Sequence, residues 1–302
     1  MRVDPTGKVY VLIGVAAQGQ GHATTLAQVC AEELGAAFAD VIVTAGDTTL
    51  MPFGMGTGGS RVMVNAGPAV AQTAREVRAR ATRVAAELLE CAPDDVRIAD
   101  SRAFVAGLPD RAVSLGRLAQ AAVRSRAMKA TGLPGLHACT FFYPDTVTWA
   151  FGTHAAAVDV DVETGRVRLL AYAVVHDPGR AIHPVIVKAQ LQGGAVQAIG
   201  AGLMEEIVYD ASGQLLSGSL MDYAIPRADD LPAIDVALTE HRSMINPLGV
   251  KGVGESGAIP GAAAIANAIE DAVADLGVTL REVPVTPARL HALLAEARPA
   301  AR

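Results

Sequence analysis

The alternation of apolar and polar residues predicts a first half built from short strands and amphipathic helices. A short apolar run or a two-residue alternation indicates a strand, whereas apolar residues three and four apart indicate a helix. By these criteria, strands are predicted at residues 8–15, 38–45, 95–99 and 102–105. Helices are predicted at residues 23–34, 68–90 and 114–127, with Gly35 as a stop signal, Pro68 at a helix start and Ser114 as a cap. The composition of residues 128–134 predicts a linker.

The second half changes to an alternation of period two, followed by helices rich in small residues. Hairpins are predicted at residues 155–175 around an ETG turn and at 204–217 around a DASG turn, with a last strand at 234–238. Helices are predicted from Pro184 onward and at residues 262–276 and 287–295. The fold class is therefore α+β, with mixed sheets, packed helices and possible subdomains at residues 1–135 and 136–302.

The helix that follows Pro184 contains an unusual number of glycines, namely Gly193, Gly194, Gly200 and Gly202. Each glycine in a helix interior costs about 1 kcal/mol relative to alanine. We therefore expect that another backbone segment approaches this helix closely.

The first predicted strand follows a DPTG turn at residues 4–7. This order is typical of a hairpin whose second strand is present and whose first strand is missing. We therefore expect that a segment preceding this turn is supplied by another polypeptide or has been lost.

Bulk properties narrow the class of protein. The chain has 302 residues, 51% of them hydrophobic, which is enough to build a sizeable core. A formal net charge of −6 disfavours nucleic acid or an anionic membrane as the main partner. Three widely spaced cysteines, Cys30, Cys91 and Cys139, predict neither a disulfide framework nor a CxxC metal site. With no signal-peptide pattern and no apolar run of about 18 residues, a cytoplasmic location is expected.

The segment NPLGVKGVGESG at residues 246–257 carries the first candidate chemistry. Gly252, Val253 and Gly254 immediately precede Glu255, and glycines let a backbone pass close to a ligand. A carboxylate held in such a loop can face a substrate and accept a proton. The alternative is a glycine-rich turn that carries a solvated glutamate.

Two further glycine-rich segments are candidates for anion binding. AQGQGH at residues 17–22 lies between a predicted strand and a predicted helix, so the helix N-terminus would direct N–H groups at a ligand above the loop. The glycine spacing does not match the GxGxxG dinucleotide motif, and a tight turn with solvated side chains is the alternative. GTGGSR at residues 56–61 could form a second anion-binding nest, in which Ser60 adds a hydroxyl and Arg61 a charge.

Other polar residues are weaker candidates. His176 and His183 flank a turn and could face one site, although hydrogen-bonded roles are favoured over metal ligation. The glutamines of the glycine-rich helix could contact a ligand or lie on the surface; they are Gln190, Gln192 and Gln197. Phe53 and Tyr223 could border a pocket, with core packing as the alternative.

Five motifs, taken in order, resemble those of the molybdenum hydroxylases. They are GQGHATT from residue 19, AGDTTLMPFGMGTGGSR from residue 45, DPGRAIHPVIVKAQLQGGAVQAIG from residue 177, MDYAIPRADDLP from residue 221 and NPLGVKGVGESG from residue 246. More closely, the chain resembles the C-terminal half of the molybdopterin-binding large subunit of the xanthine dehydrogenase and aldehyde oxidase family. The likeness covers residues 9–290.

This resemblance implies an enzyme that hydroxylates an electrophilic carbon of an aldehyde or an N-heteroaromatic ring, with oxygen from water. Glu255 matches the family's glutamate base. The resemblance assigns the remaining site residues to a molybdenum–molybdopterin cofactor, expected in its cytosine dinucleotide form, with the metal held through the pterin. These residues are Gly19, Gln20, Gly21, Gly58, Gly59, Ser60, Arg61, Gln190, Gly252, Val253 and Gly254. Of these, Gly58–Arg61, the last four residues of the second motif, would lie along the phosphate or nucleotide.

The resemblance also implies partner chains. The N-terminal half of the family's large subunit is not in this sequence, so a further chain is expected to supply it. Three scattered cysteines cannot bind a four-cysteine cluster, so the [2Fe–2S] clusters and FAD are expected on partner subunits. The alternatives are a non-catalytic cofactor-binding or assembly module and a truncated fragment of such a subunit. An NAD-dependent dehydrogenase is disfavoured, because no ribose-binding acid follows the glycine-rich loops.

Overall fold

A computed structural model describes residues 1–51, 53–129, 131–132 and 134–297 of the chain. Residue 52 of the long loop, residues 130 and 133 of the predicted linker and residues 298–302 lie outside the described residues. The chain divides into two compact units. Unit 1 comprises Met1–Thr148 and Arg242–Lys251, and unit 2 comprises Trp149–His241 and Gly252–Arg302. The subdomain boundary at residues 135 and 136 stays a prediction.

Unit 1 contains two three-stranded sheets. Strands β1 (Arg2–Val3), β2 (Val9–Ile13) and β3 (Val41–Ala45) form the first sheet, in which β2 and β3 are parallel and helix α1 (His22–Leu34) connects them. Strands β4 (Val96–Ala99), β5 (Arg102–Val105) and β6 (Leu108–Ser114) form an antiparallel meander. Helix α2 (Val62–Leu89) packs against α1 and against the meander. It is followed by α3 (Leu115–Ala122) and α4 (Arg126–Lys129).

Several predictions for unit 1 are confirmed. Strands β2, β4 and β5 and helix α1 lie at the predicted places, and Gly35 ends α1 in the left-handed conformation with φ 81°. Ser114 caps α3, because its hydroxyl accepts a hydrogen bond from the Arg117 amide at 3.2 Å.

Other predictions for unit 1 are wrong. The chain supplies its own first strand, because β1 pairs antiparallel with β2. Helix α2 begins at Val62 and contains Pro68, because the preceding Gly67 has no Cβ to clash with the proline ring and the buried apolar face continues across both residues. Residues Phe38–Asp40 form a 3₁₀ turn instead of the start of a strand. Strand β6 was missed because it is mostly exposed and therefore lacks an apolar alternation.

The predicted helix at residues 114–127 is also too long. It is divided into α3 and α4, because the chain turns after Ala122 and Glu87 of α2 accepts hydrogen bonds from the Ser125 hydroxyl and the Arg126 amide. The carboxylate thereby caps the start of α4, which a continuous helix would not allow.

Unit 2 is built on one sheet and three helices. Strands β7 (Phe151–Asp161) and β8 (Arg166–Asp177) form a long antiparallel hairpin, and β9 (Ile234–Leu238) is parallel to β8. Helices α5 (Pro184–Leu203), α6 (Gly261–Ala272) and α7 (Pro287–Ala297) complete the unit. The core contains residues of β8, α5, α6 and α7, among them Tyr172, Leu191, Ile265 and Leu290.

The predictions for unit 2 hold for the hairpin, the last strand and the helices, with Pro184 as the first residue of α5. The hairpin predicted at residues 204–217 is reduced to a turn with one isolated bridge, between Tyr209 and Leu215. Its turn is formed as expected, because the Asp210 carboxylate accepts the amides of Ser212 and Gln214. Among the described residues, no helix is both long and apolar enough to cross a lipid bilayer.

Candidate functional site

Two glycine-rich loops of unit 1 lie side by side. The first loop (residues 16–21) joins β2 to α1, and the second loop (residues 53–61) leads into α2. The hydroxyl of Thr57 donates to the carbonyl of Ala16. A Cβ built on Gly14, just after β2, would lie 2.3 Å from the Phe53 carbonyl oxygen, so the two segments approach more closely than any side chain would allow. The two glycine-rich segments that are candidates for anion binding are therefore adjacent in the structure.

The helices that follow these loops begin at the same end of unit 1. Glu33, the twelfth residue of α1, forms a bidentate ion pair with Arg75, the fourteenth residue of α2, at 2.7 and 2.6 Å. Because the preceding loops are in contact and the helices are joined again at similar distances from their starts, the two helices run in the same direction. Neither helix has a side-chain cap or an acidic residue in its first turn. Two uncapped helix N-termini, each with a partial positive charge, thus face the same region.

The glycines of these loops leave room for a ligand. No heavy atom lies within 4 Å of a Cβ built on Gly19, Gly58 or Gly59. Gly19, Gly21 and Gly59 have φ of 93°, 77° and 61°, and the neighbouring Ser60 has φ 53°. The left-handed backbone therefore favours glycine at Gly19 and Gly59, and open space remains where a Cβ would lie.

Two polar side chains beside the loops have buried atoms that no described residue satisfies. Nε of Arg61 is buried and lacks a hydrogen-bond partner among the described residues, although its terminal nitrogen donates to the Met55 carbonyl at 3.0 Å. Nδ1 of His22, at the start of α1, is likewise buried and has no hydrogen-bond partner within the described part of the chain. Burial is also the main cause that lowers the pKa of His22. Gln20 is half-buried, and its side-chain oxygen accepts a hydrogen bond from the backbone amide of Gln18.

A largely apolar cavity of about 410 Å³ borders the second loop. Gly14, Gly54 and Arg61 line it together with Phe53, which the sequence offered as a pocket neighbour. Tyr223, the other residue proposed to border a pocket, belongs to unit 2 and donates its hydroxyl to Glu205 at 2.9 Å.

In unit 2, the turn that carries Glu255 is seated on α5. Residues 254–260 form consecutive turns in which the carbonyl of Glu255 accepts the amides of Ala258 and Ile259 at 2.9 and 3.2 Å. A Cβ on Gly257 would lie 2.3 Å from the Leu191 carbonyl oxygen of α5. The close backbone approach expected for the glycine-rich helix is confirmed, because a Cβ on Gly194 would lie 2.8 Å from the Gly257 Cα.

The start of α6 extends this seat. A Cβ on Gly261 would lie 2.4 Å from Cβ of Ala198 and 2.8 Å from the Tyr172 hydroxyl. Glu255 itself is exposed on the turn, as is Gly254, while Gly252 and Val253 are half-buried. Close backbone contact therefore seats this turn on α5, and Glu255 is exposed on it.

The glutamines of α5 and the histidine that precedes this helix have different structural contacts. Gln190 is half-buried and adjoins Leu191, on which the Glu255 turn packs. Gln192 donates to the Ile234 carbonyl at 3.1 Å and so has a structural role. His183 caps α5 by accepting the Ile186 amide at 3.2 Å. Within the described residues, no group of three histidine, cysteine or acidic side chains could hold a metal ion.

Sequence reasoning missed one polar group beneath the Glu255 turn. Nδ1 of His154 on β7 lies 2.8 Å from the Tyr172 hydroxyl on β8, and the two rings meet edge to face with centroids 5.6 Å apart. The signal in the sequence was a histidine at an inward position of a strand whose other inward residues, Ala156 and Val158, are apolar.

The comparisons with known proteins bear on these loops directly. Residues 1–232 match the family described as "Molybdopterin cofactor-binding domain". The chain belongs to this family. Its members, by that description, bind a molybdopterin cofactor.

The relatives are large subunits of molybdenum hydroxylases. The chain is 38% identical over 291 residues to the nicotine 6-hydroxylase large subunit of Paenarthrobacter nicotinovorans, covering 96% of this chain and 36% of that one. It is 36% identical over 284 residues to the carbon monoxide dehydrogenase large chain of Afipia carboxidovorans, covering 94% and 35%. The chain thus spans slightly more than a third of the length of these relatives.

Solved structures show the same architecture. Quinoline 2-oxidoreductase from Pseudomonas putida 86 matches with a TM-score of 0.87 and 40% identity, over 99% of this chain and 38% of that one. Reconstituted carbon monoxide dehydrogenase from Oligotropha carboxidovorans matches with a TM-score of 0.88 and 35% identity, over 98% and 37%. The α+β fold of a molybdenum hydroxylase large subunit, expected from the motifs, is confirmed.

The residues of unit 1 fit such a cofactor. A phosphate group requires N–H donors, positive charge and space at the backbone. The two loops provide helix starts without side-chain caps, the Arg61 guanidinium, and glycines with open space where a Cβ would lie. The buried Nε of Arg61, unsatisfied among the described residues, supplies a further donor.

Proposed function

We propose that this chain is the cofactor-binding, catalytic part of the large subunit of a multi-subunit molybdenum hydroxylase. The substrate class is an aldehyde or an N-heteroaromatic ring, and the oxygen comes from water. The observation that carries the proposal is an exposed Glu255 on a rigidly seated turn, in a chain of the molybdopterin cofactor-binding family.

The roles proposed for the residues are those that the resemblance to the family implies. Gly19, Gln20 and Gly21 of the first loop and Gln190 of α5 would hold the pyranopterin, with Gly252, Val253 and Gly254 beside it. The second-loop residues Gly58, Gly59, Ser60 and Arg61 would bind the phosphate, which fits a cytosine dinucleotide. When bound, the molybdenum centre supplies two-electron redox chemistry. Glu255 would act as the general base that receives the proton of the water-derived nucleophile.

Partner chains complete the proposal. The relatives carry names such as "large subunit", "large chain" and "complex subunit gamma", which describe members of assemblies. We infer that another chain supplies the remaining part of the large subunit and that a [2Fe–2S] subunit and an FAD subunit accept the electrons. The cysteine usage and the acidic net charge favour a cytoplasmic protein without a nucleic-acid partner.

Glu255→Gln tests the catalytic role, because it removes the base and keeps the size and polarity of the side chain. We expect kcat to fall about 10²- to 10⁴-fold, the range typical for loss of a general base. Molybdenum content, measured by elemental analysis of the assembled protein, is expected to stay at the wild-type level. Glu296→Gln, an identical change at an exposed position of α7, is the matched control and is expected to retain full turnover.

Turnover that survives Glu255→Gln would remove the base assignment. A wild-type assembly that binds molybdopterin and oxidises no aldehyde or N-heterocycle would favour the alternative of a non-catalytic cofactor-binding module.

A further inference from the structure

The segment that follows α5 in unit 2 is an extended arm with many exposed apolar side chains. The arm comprises residues 207–225, all of which the structure describes, and it contains no helix and no strand beyond one isolated bridge. Eight of its large apolar side chains are between 37% and 95% exposed: Ile207, Val208, Tyr209, Leu215, Leu216, Leu220, Met221 and Ile225. A soluble protein rarely leaves so many such side chains close together in water, unless they form a contact surface.

The arm is ordered by its own hydrogen bonds. The Leu216 amide donates to the Val208 carbonyl at 2.8 Å, and the Val208 amide donates to the Ser217 hydroxyl oxygen at 2.9 Å. Farther along, the Tyr223 amide donates to the Ser219 carbonyl at 2.8 Å. A backbone that is already ordered loses less conformational entropy when a partner binds, so the arm is preorganised for docking.

The two ends of the arm meet at the end of α5. Glu205, which follows this helix, accepts a hydrogen bond from the Tyr223 hydroxyl at 2.9 Å. A Cβ built on Gly200 of α5 would collide with the Glu205 carboxylate and would lie 2.8 Å from Cγ of Pro226. Gly200 therefore allows both ends to approach the helix closely, and the apolar residues form a loop that is closed at its base.

The charges of this region narrow the kind of partner. No lysine or arginine occurs in residues 189–226, and the charged residues there are all acidic, namely Glu205, Glu206, Asp210 and Asp222. Anionic membranes and nucleic acids attract basic surfaces, so neither suits the arm. An apolar protein surface with basic side chains at its edge is complementary to the arm in both hydrophobicity and charge.

The length of the relatives indicates which protein surface this is. The chain spans 36% of the nicotine 6-hydroxylase large subunit, so the larger part of that relative lies outside the match. A stable interface of standard size involves about 20–30 residues on each side. Residues 207–225 provide most of one such side, and the remaining part of a large subunit is big enough to provide the other.

We propose that the arm at residues 207–225 is the docking surface for the remaining part of the large subunit, which covers the arm with an apolar face that is basic at its edge. The inference rests on the proposed function, because the partner is the chain proposed there to complete the subunit. It adds the place at which this chain receives that partner.

Hydroxyl-radical footprinting, read by mass spectrometry, tests whether the arm is covered in the native assembly. Met221 of the arm is 95% exposed, and Met244 of unit 1, which is 94% exposed, is the matched reference. In the chain alone we expect both to oxidise at similar rates, and in the assembly we expect Met221 to oxidise about tenfold more slowly, because methionine oxidation depends on exposure. Equal oxidation of Met221 with and without the partner overturns the inference.

A double variant tests whether the apolar side chains bind the partner. Leu216→Ser with Leu220→Ser is expected to reduce, about tenfold or more, the amount of the second chain that co-purifies with this one, because it removes two large apolar contacts. Mass spectrometry identifies the second chain by its similarity to the part of the relatives outside the match. Leu108→Ser, at a leucine of β6 that is 55% exposed, is the control and is expected to change this amount less than twofold. Equal loss in the control and the double variant overturns the inference.

Sedimentation of the chain alone tests the other occupants. We expect a monomer that does not sediment with vesicles of phosphatidylcholine and phosphatidylserine. A dimer in which Met221 is protected would assign the arm to a second copy, and vesicle binding that the double variant abolishes would assign it to a lipid surface. Either result overturns the inference. A native assembly without molybdenum or turnover would instead contradict the proposed function, whereas protection of Met221 by the second chain would still support the docking surface.

Discussion

The glycines of the two candidate regions serve opposite purposes. In the loops of unit 1, Gly58 and Gly59 have open space where a Cβ would lie, so no packing contact requires a glycine there. In unit 2, Gly194 and Gly257 lie with backbone within 3 Å of any added Cβ. The glycines of unit 1 leave open space at the backbone, whereas those of unit 2 allow a turn and a helix to come into contact. Similar glycine-rich motifs therefore have different structural roles in the two regions.

The largest effect is expected from adding one methyl group at the contact between the Glu255 turn and α5. Gly257→Ala would place a Cβ 2.3 Å from the Leu191 carbonyl oxygen, which cannot move without shifting the helix. We expect the free energy of unfolding to fall by about 3 kcal/mol, at the upper end for overpacking. Chemical denaturation followed by circular dichroism measures this change.

A neighbouring glycine of α5 provides the matched control. Gly193 is exposed, and no heavy atom lies within 4 Å of its added Cβ. Gly193→Ala is therefore expected to stabilise the protein by about 0.5–1 kcal/mol, because alanine favours the helix. Equal destabilisation by both alanine substitutions would show that the contact between the turn and the helix is not as close as described.

The loops of unit 1 should respond to alanine through ligand binding more than through folding. Gly58→Ala meets open space and has no left-handed backbone, so the free energy of unfolding should change by less than about 0.5 kcal/mol. Gly59→Ala should cost about 1–2 kcal/mol, because its φ of 61° strains any residue with a Cβ.

Measuring cofactor retention separates the role of the second loop in ligand binding from its role in folding. If phosphate passes along residues 58–61, the Gly58→Ala methyl group should lower retention of molybdopterin about tenfold or more, as measured by cofactor and molybdenum content after gel filtration. Full retention in Gly58→Ala would move the cofactor phosphate away from the second loop. Gly213→Ala, in the exposed turn of unit 2, adds a control for a left-handed glycine outside the site.

The smallest effect on the free energy of unfolding is expected from lowering the pH. Each region has a buried histidine, His22 beside the first loop and His154 beneath the Glu255 turn, and burial lowers the pKa of both. Because the unfolded state takes up these protons at a higher pH than the folded state, stability is complete above the unfolded pKa of about 6.5 and is lost as the pH falls through the folded values. Unfolding measured at pH 7.5 and pH 5.5 should show this loss.

Substituting the two histidines separates the regions. His22→Gln and His154→Gln should each reduce the difference in the free energy of unfolding between pH 7.5 and pH 5.5. Each reduction, in kcal/mol, should be smaller than the destabilisation caused by Gly257→Ala. A pH dependence that is the same in wild type and in both variants would mean that the burial of these rings does not control their protonation.

The elements that were predicted correctly have strong local signals. The hairpin of β7 and β8 alternates over its whole length, and α1 ends at a glycine that can adopt φ 81°. The failures lie where the local signal is weak or contradicted. Strand β6 is an exposed edge with no buried face, and α2 continues through Pro68 because tertiary burial outweighs a breaking residue.

The candidate site divides in the same way. Its loops and Glu255 were proposed from short motifs, because glycine, glutamine and glutamate at those positions could supply the proposed chemistry themselves. The contact between His154 and Tyr172 was not predicted. His154 and Tyr172 are eighteen residues apart in the chain and meet only because the antiparallel register of β7 and β8 places both on the inner face.

Residue types and their spacing within a few residues were enough to predict the family, the fold class, the positions of most strands and helices, and the loops proposed to bind the cofactor. The tertiary structure was needed to show which glycines are open and which are in contact, that α1 and α2 start at one end of unit 1, and that His154 meets Tyr172. These depend on distances between segments far apart in the chain, which are set by packing and strand register and which no local pattern records.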